Sequence, residues 1–145
     1  MLIDKAGIAR LIPHSGAMCL LDGVLSWAAT QITCVSTTHS WLGNPMRRGG
    51  RIGILCGVEY AAQAMALHAA LAGGADAKPR RGYLASLRSV CCLADRLDAI
   101  PGRLEVEAEQ LLGDGDRVIY GFAVRYEGGI LLSGQAAVAL EQRMI

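Results

Sequence analysis

Residues 49–72 read GGRIGILCGVEYAAQAMALHAALA, a glycine-rich approach followed by an alanine-rich apolar run with a single carboxylate, Glu59, near its start. From Ala61 to Leu71 the side chains are apolar almost all the way round a helical wheel. That pattern predicts a helix buried on every side rather than one lying on a surface. Water would not cover it, so other protein must. An acid in such a helix is costly unless it is paired or does chemistry, which makes Glu59 the first candidate functional residue.

Upstream, Asp4 to Leu11 has the periodicity of a short helix with Asp4 as its cap and Pro13 just beyond its end. Residues 13–17, PHSGA, read as a turn. The runs Met18 to Trp27 and Gln31 to Thr38 predict a pair of strands, the second rich in β-branched residues. His39 to Ile52, with Gly43, Asn44, Pro45, Gly49 and Gly50 as turn formers, is most simply a loop leading into the helix. Downstream, Gly73 and Gly74 close the helix, and a polar connection through Lys78, Pro79, Arg80 and Arg81 leads to a strand at Tyr83 to Ala94. In Arg103 to Leu111, Leu104, Val106 and Ala108 alternate with Glu105, Glu107 and Glu109, as a half-exposed antiparallel strand requires. Turn residues at 113–116 and 128–129 separate it from strands at Val118 to Tyr126 and Ile130 to Leu140. Two strands, one long helix and about four more strands predict an α+β fold in which an antiparallel sheet wraps a single central helix. The sheet edge left open predicts a dimer.

The chain has 145 residues and neither a linker nor a charge block, so one domain spanning 1–145 is expected. Hydrophobic residues make up 52% and charged residues 19%, rich enough in apolar side chains to imply that a partner chain covers some of them. The formal charge of +1 argues against a nucleic-acid-binding domain. Charges within MLIDKAGIARLIP argue against a signal peptide. The glycines after Ala72 stop the apolar helix short of a convincing membrane span. Five cysteines without CxxC spacing or a histidine cluster imply neither zinc nor a disulfide framework, and the reading is of a cytoplasmic protein without metal or cofactor.

Two groups of residues carry a family resemblance. Pro13, His14, Leu20, Leu21, Asp22 and Val24 are similar to the PHRxPxLLLDRV opening of the hotdog-fold 3-hydroxyacyl-acyl-carrier-protein dehydratases. Glu59 to Gln63, EYAAQ, resembles that family's EAMAQ helix motif. The likeness is strongest to the divergent dehydratases of aryl-polyene-type biosynthetic clusters, with their NPxR and GxEYAAQAMA runs. It implies a hotdog fold and removal of water from a 3-hydroxyacyl thioester held on acyl carrier protein or coenzyme A, giving the trans-2-enoyl thioester. In that family the helix carboxylate works with a histidine across a dimer interface, and backbone N–H groups at the helix start polarise the thioester carbonyl. Carried over, Glu59 is the acid, Gly57 with Val58 forms the carbonyl-binding turn, and Gln63, four residues on, orients the carboxylate or only completes the motif.

The family's GHFP histidine is missing, and the comparable region reads NPMRRGG. His14, in the PHR-like turn, and His39, at the start of the altered loop, are the candidate bases. Each has a plain alternative, His14 tying its loop to the sheet and His39 an ordinary loop residue. His68 lies nine positions beyond Glu59, on the opposite helix face and roughly 13 Å along the axis, and is set aside. Arg47, Arg48 and Arg51 with Lys78, Arg80 and Arg81 would meet a phosphopantetheine phosphate and an acidic carrier, or are solvated loop charges. Two other functions stay open: a hotdog thioester hydrolase, which needs no histidine, and a non-catalytic or half-site subunit that pairs with a typical hotdog dehydratase. A homodimer and a heterodimer are both compatible with the sequence.

Overall fold

A computed structural model of the chain describes residues 1–12, 14, 16–73 and 82–140. Asp4 caps α1 (Lys5–Leu11) by accepting the Gly7 N–H at 2.9 Å, as its position before the apolar repeat predicts. The remaining elements are β1 (Ile3–Asp4), β2 (Gly23–Ala28), β3 (Gln31–Ser36), α2 (Gly57–Ala72), β4 (Gly82–Cys92), β5 (Leu104–Asp114), β6 (Arg117–Tyr126) and β7 (Gly129–Leu140). Seven strands form one antiparallel sheet in the order β1-β2-β3-β5-β6-β7-β4, with α2 laid against β3, β5 and β6. This is the α+β hotdog arrangement expected from the sequence.

The alternation in β5 does what it predicts. Leu104, Val106 and Ala108 are buried towards α2, and Val118, Tyr120, Phe122 and Val124 face the same core from β6. From the helix, Tyr60, Ala61, Ala64, Met65 and Leu67 meet them. Leu67 is wholly buried, and truncating such a residue to alanine costs about 2–5 kcal/mol. Over Ile54–Ala72 the chain is long and apolar enough to match a membrane span by composition, but 56% of that window is buried inside the fold. Its apolarity is that of a core helix.

Three expectations need correction. A short strand, β1, pairs with β2 through Ile3 and Val24 where only a helix cap was expected. The strand expected from Met18 begins only at Gly23, because side chains take the backbone groups that a ladder would use. Gln63 Oε1 accepts the Leu20 N–H and Gln63 Nε2 donates to the Met18 carbonyl, while the Ser36 and Thr38 hydroxyls donate to the Leu20 carbonyl. Third, α2 is not enclosed on every side. Val58, Glu59, Ala62, Ala66 and Ala69 remain half-buried along one stripe. The connection through Lys78, Pro79, Arg80 and Arg81 lies outside the described residues. All of β4 is exposed at the sheet edge, including Tyr83, Leu84, Leu87 and Val90.

Candidate active site

The half-buried stripe of α2 is the wall of a cavity. Val58, Glu59, Ala62, Met65, Ala66 and Ala69 line it from the helix, and Leu84, Val118, Tyr120, Val138 and Leu140 from β4, β6 and β7, enclosing about 160 Å³. Apart from Tyr120, the polar side chains in the lining are those of Glu59 and His14. His14 Nε2 stands 3.3 Å from Glu59 Oε1 within the same chain, their side chains 28% and 34% exposed. The buried Nδ1 of His14 has no hydrogen-bond partner among the described residues. The fold therefore sets two groups able to exchange a proton side by side at the mouth of an apolar slot.

Both members are held by local structure. Glu59 is the third residue of α2, in its first turn, where the helix dipole favours a carboxylate. His14 lies on the connection between α1 and β2, and Gln63 pins that connection to the helix through Met18 and Leu20. The amide of Gln63 is thus occupied at both ends by backbone, at 2.7 and 2.9 Å. It does not orient the carboxylate and, being fully buried, does not line the cavity. Next to Glu59, Tyr60 turns to the other side, where its hydroxyl bonds to Thr38 Oγ1 and receives Asn44 Nδ2. Burial raises the pKa of this phenol, so it is a neutral member of the network.

Gly57 opens α2 with ordinary helical angles, and its N–H bonds back to Ile54 and Leu55 across a preceding 3-10 turn. That N–H is spent inside the helix rather than turned to a ligand. What requires glycine here is close packing, because a Cβ would stand 2.8 Å from a Leu132 methyl. Val58 lines the cavity, as a substrate-contacting residue would.

The other candidate base does not meet Glu59. His39 is fully buried, with Nε2 3.1 Å from the Ile100 carbonyl. Burial pushes its pKa below the ordinary 6.5, partly opposed by bonds to the Ile100 and Gly102 carbonyls. An imidazole closed in this way supports its loop rather than reaching a ligand. His68 is buried on the far side of α2, as its spacing predicts. Arg47 spends its guanidinium on the carbonyls of Trp41, Gly50 and His39, and Arg48 on those of Pro45 and Arg47. These two arginines brace the loop. Beyond His14, Val58 and Glu59, the cavity lining was not foreseen from the sequence, though its signal is the run of small residues Ala62, Ala66 and Ala69 at helical spacing.

Among proteins with curated descriptions, none matches the chain in sequence. Solved structures match throughout its length. The dehydratase heterocomplex ApeI:P from Xenorhabdus doucetiae contains a chain that superposes with a TM-score of 0.82 at 22% identity, covering 94% of this chain and 91% of that one. The AziG structure from S. sahachiroi gives 0.66 at 16% identity, covering 92% and 100%. The thioesterase HI1161 from Haemophilus influenzae gives 0.66 at 11% identity, covering 97% and 95%. At such identities these likenesses establish the hotdog fold. The profile of the ApeP-like family, described as ApeP dehydratase, matches residues 6–143. By that match the chain belongs to the ApeP-like dehydratases, lyases acting on 3-hydroxyacyl groups.

Proposed function

We propose that His14 and Glu59 are the acid/base pair of this dehydratase, acting on a 3-hydroxyacyl thioester carried on acyl carrier protein or coenzyme A. The observation that carries this reading is the 3.3 Å approach of the two side chains within one chain. Neutral His14 takes the proton at C2, made acidic by the adjacent thioester carbonyl. The C2–H electron pair becomes the C2–C3 double bond as the C3–O bond breaks, and protonated Glu59 donates its proton to the departing hydroxyl, which leaves as water. The products are the trans-2-enoyl thioester, an imidazolium and a carboxylate. Once product has left, that imidazolium returns its proton to the carboxylate beside it, and both groups are reset. The acyl tail lies along Ala62, Ala66 and Ala69.

Hydrolysis would need only a carboxylate to activate water, and the paired imidazole favours elimination over that reading. A half-site role is likewise disfavoured by a pair complete in one chain. The exposed edge of β4 fits a second hotdog subunit, identical or different, adding its own edge strand. The test is Glu59→Gln assayed on a 3-hydroxyacyl carrier protein. We expect enoyl formation to fall by about 10²–10⁴, and unchanged turnover in a folded variant overturns the assignment.

A further inference from the structure

His14 and Glu59 come from segments far apart in the chain, so their 3.3 Å approach is set by whatever fixes one segment on the other. On the connection that carries His14, both backbone groups of Leu20 are taken. From α2, Gln63 Oε1 accepts the Leu20 N–H while Gln63 Nε2 donates to the Met18 carbonyl. The Cys19 N–H closes a turn onto the Gly16 carbonyl at 3.1 Å, which carries that hold back towards His14. Lys5 Nζ also donates to the Cys19 and Leu21 carbonyls, but from α1, which does not bear the acid.

The Leu20 carbonyl has a second link to α2, and counting hydrogens gives its direction. Asn44 Oδ1 accepts the Met46 N–H at 2.8 Å, so the other end of that amide is its NH2 group. This group donates to the Thr38 carbonyl at 3.0 Å and to the Tyr60 hydroxyl at 3.1 Å. Among the described residues, the phenol hydrogen is left with one acceptor, Thr38 Oγ1 at 2.8 Å. Burial raises the pKa of the phenol, so that hydrogen stays in place. Thr38 gives its own hydrogen to the Leu20 carbonyl at 2.7 Å, a closer partner than Ser36 Oγ at 2.9 Å. Donation therefore runs one way, from Asn44 through Tyr60 and Thr38 to Leu20. Tyr60 is wholly buried and Asn44 nearly so, and a lost member leaves its neighbour unpaired.

We propose that Tyr60 is a positioning residue for the acid/base pair: through Thr38 it ties the segment that carries His14 to the helical turn that carries Glu59. The inference rests on the acid/base reading above and gives the residue after the acid a reason to be tyrosine. A phenylalanine would fill the same core space, but only the hydroxyl reaches Thr38. With that tie cut, Gln63 alone links the two segments from α2, and a drift of about 1 Å between catalytic groups costs roughly 100-fold in rate.

The test measures kcat, KM and melting temperature for wild type, Tyr60→Phe, Thr38→Val, Thr38→Ser and Glu59→Gln on a 3-hydroxyacyl carrier protein. Tyr60→Phe should lower kcat by about 10–100-fold with KM little changed. Thr38→Val cuts the same tie at its next link and should give a similar loss, which also covers the case in which Tyr60→Phe does not fold. Thr38→Ser keeps the hydroxyl and should turn over close to wild type. Nitrogen NMR of histidine-labelled protein reads the tie apart from turnover: the His14 ring signals should shift in Tyr60→Phe and Thr38→Val but not in Thr38→Ser. Wild-type kcat in the folded Phe and Val variants, an equal loss in Thr38→Ser, or unmoved His14 signals overturns the proposal. If wild type forms no enoyl product, or folded Glu59→Gln keeps full turnover, the acid/base reading falls and the positioning role with it. A loss in Glu59→Gln beside a fully active Tyr60→Phe removes the positioning role alone.

Discussion

If the His14–Glu59 contact is one working unit, removing both members should cost no more than removing one. The perturbation is a cycle of His14→Gln, Glu59→Gln and the double variant, each change leaving a side chain of similar reach. Either single loss of an acid/base partner lowers kcat by about 10²–10⁴, or roughly 3–5 kcal/mol of barrier. Independent groups would multiply to about 10⁴–10⁸. Groups 3.3 Å apart that hand a proton between them should instead leave the double variant at the level of the worse single. Stability separates the chemistry from folding. Both side chains are about one-third exposed, so their contact is worth at most about 1 kcal/mol, and the melting temperature should move by no more than about 4 °C. The assay is enoyl formation from a 3-hydroxyacyl carrier protein, with a melting curve for each variant. Multiplying losses in folded proteins would refute the paired mechanism.

Three further outcomes follow from the structure. Burial lowers the pKa of His39, so the unfolded chain binds its proton first; stability should fall as pH drops below about 6.5, by at most about 1.4 kcal/mol per pH unit. His39→Gln should flatten that slope in denaturant titrations, and an unaltered slope counts against the account. Gln63→Leu strands the Leu20 N–H and the Met18 carbonyl and should cost about 2–4 kcal/mol in urea unfolding; a loss under about 0.5 kcal/mol would mean water replaces both bonds. Leu87→Asp places a charge on the exposed β4 edge and should shift the assembly towards monomer in sedimentation at unchanged circular dichroism, whereas an unchanged oligomer would move the interface elsewhere.

Much of the fold is legible because each element writes its own period. The alternation of Leu104, Val106 and Ala108 with three glutamates fixes the face of β5, and the residues at 113–116 and 128–129 mark the turns. The strand expected at Met18 fails for a reason no local pattern contains: its backbone partners are the side chains of Gln63, Ser36 and Thr38, up to 45 residues away in sequence. The site divides in the same way. Glu59 stands out because an acid in an apolar helix needs a reason. His14 and His39 look equivalent along the chain, and only packing separates them, leaving one at the cavity and closing the other behind the Ile100 carbonyl. Gln63 shares a helical face with Glu59 by count, yet its amide is captured by the Met18 and Leu20 backbone of the neighbouring segment.

A pair contained in one chain also governs how activity passes through a mixed population. Where two subunits each lend half of every site, an inactive copy silences the active copy it joins, and mixtures lose activity faster than active chains are diluted. If His14 and Glu59, which stand 3.3 Å apart on the same polypeptide, are the catalytic pair, each copy owns its chemistry, and activity should fall in simple proportion to the fraction of active chains. A damaged copy would then be a passenger in the assembly rather than a poison to it.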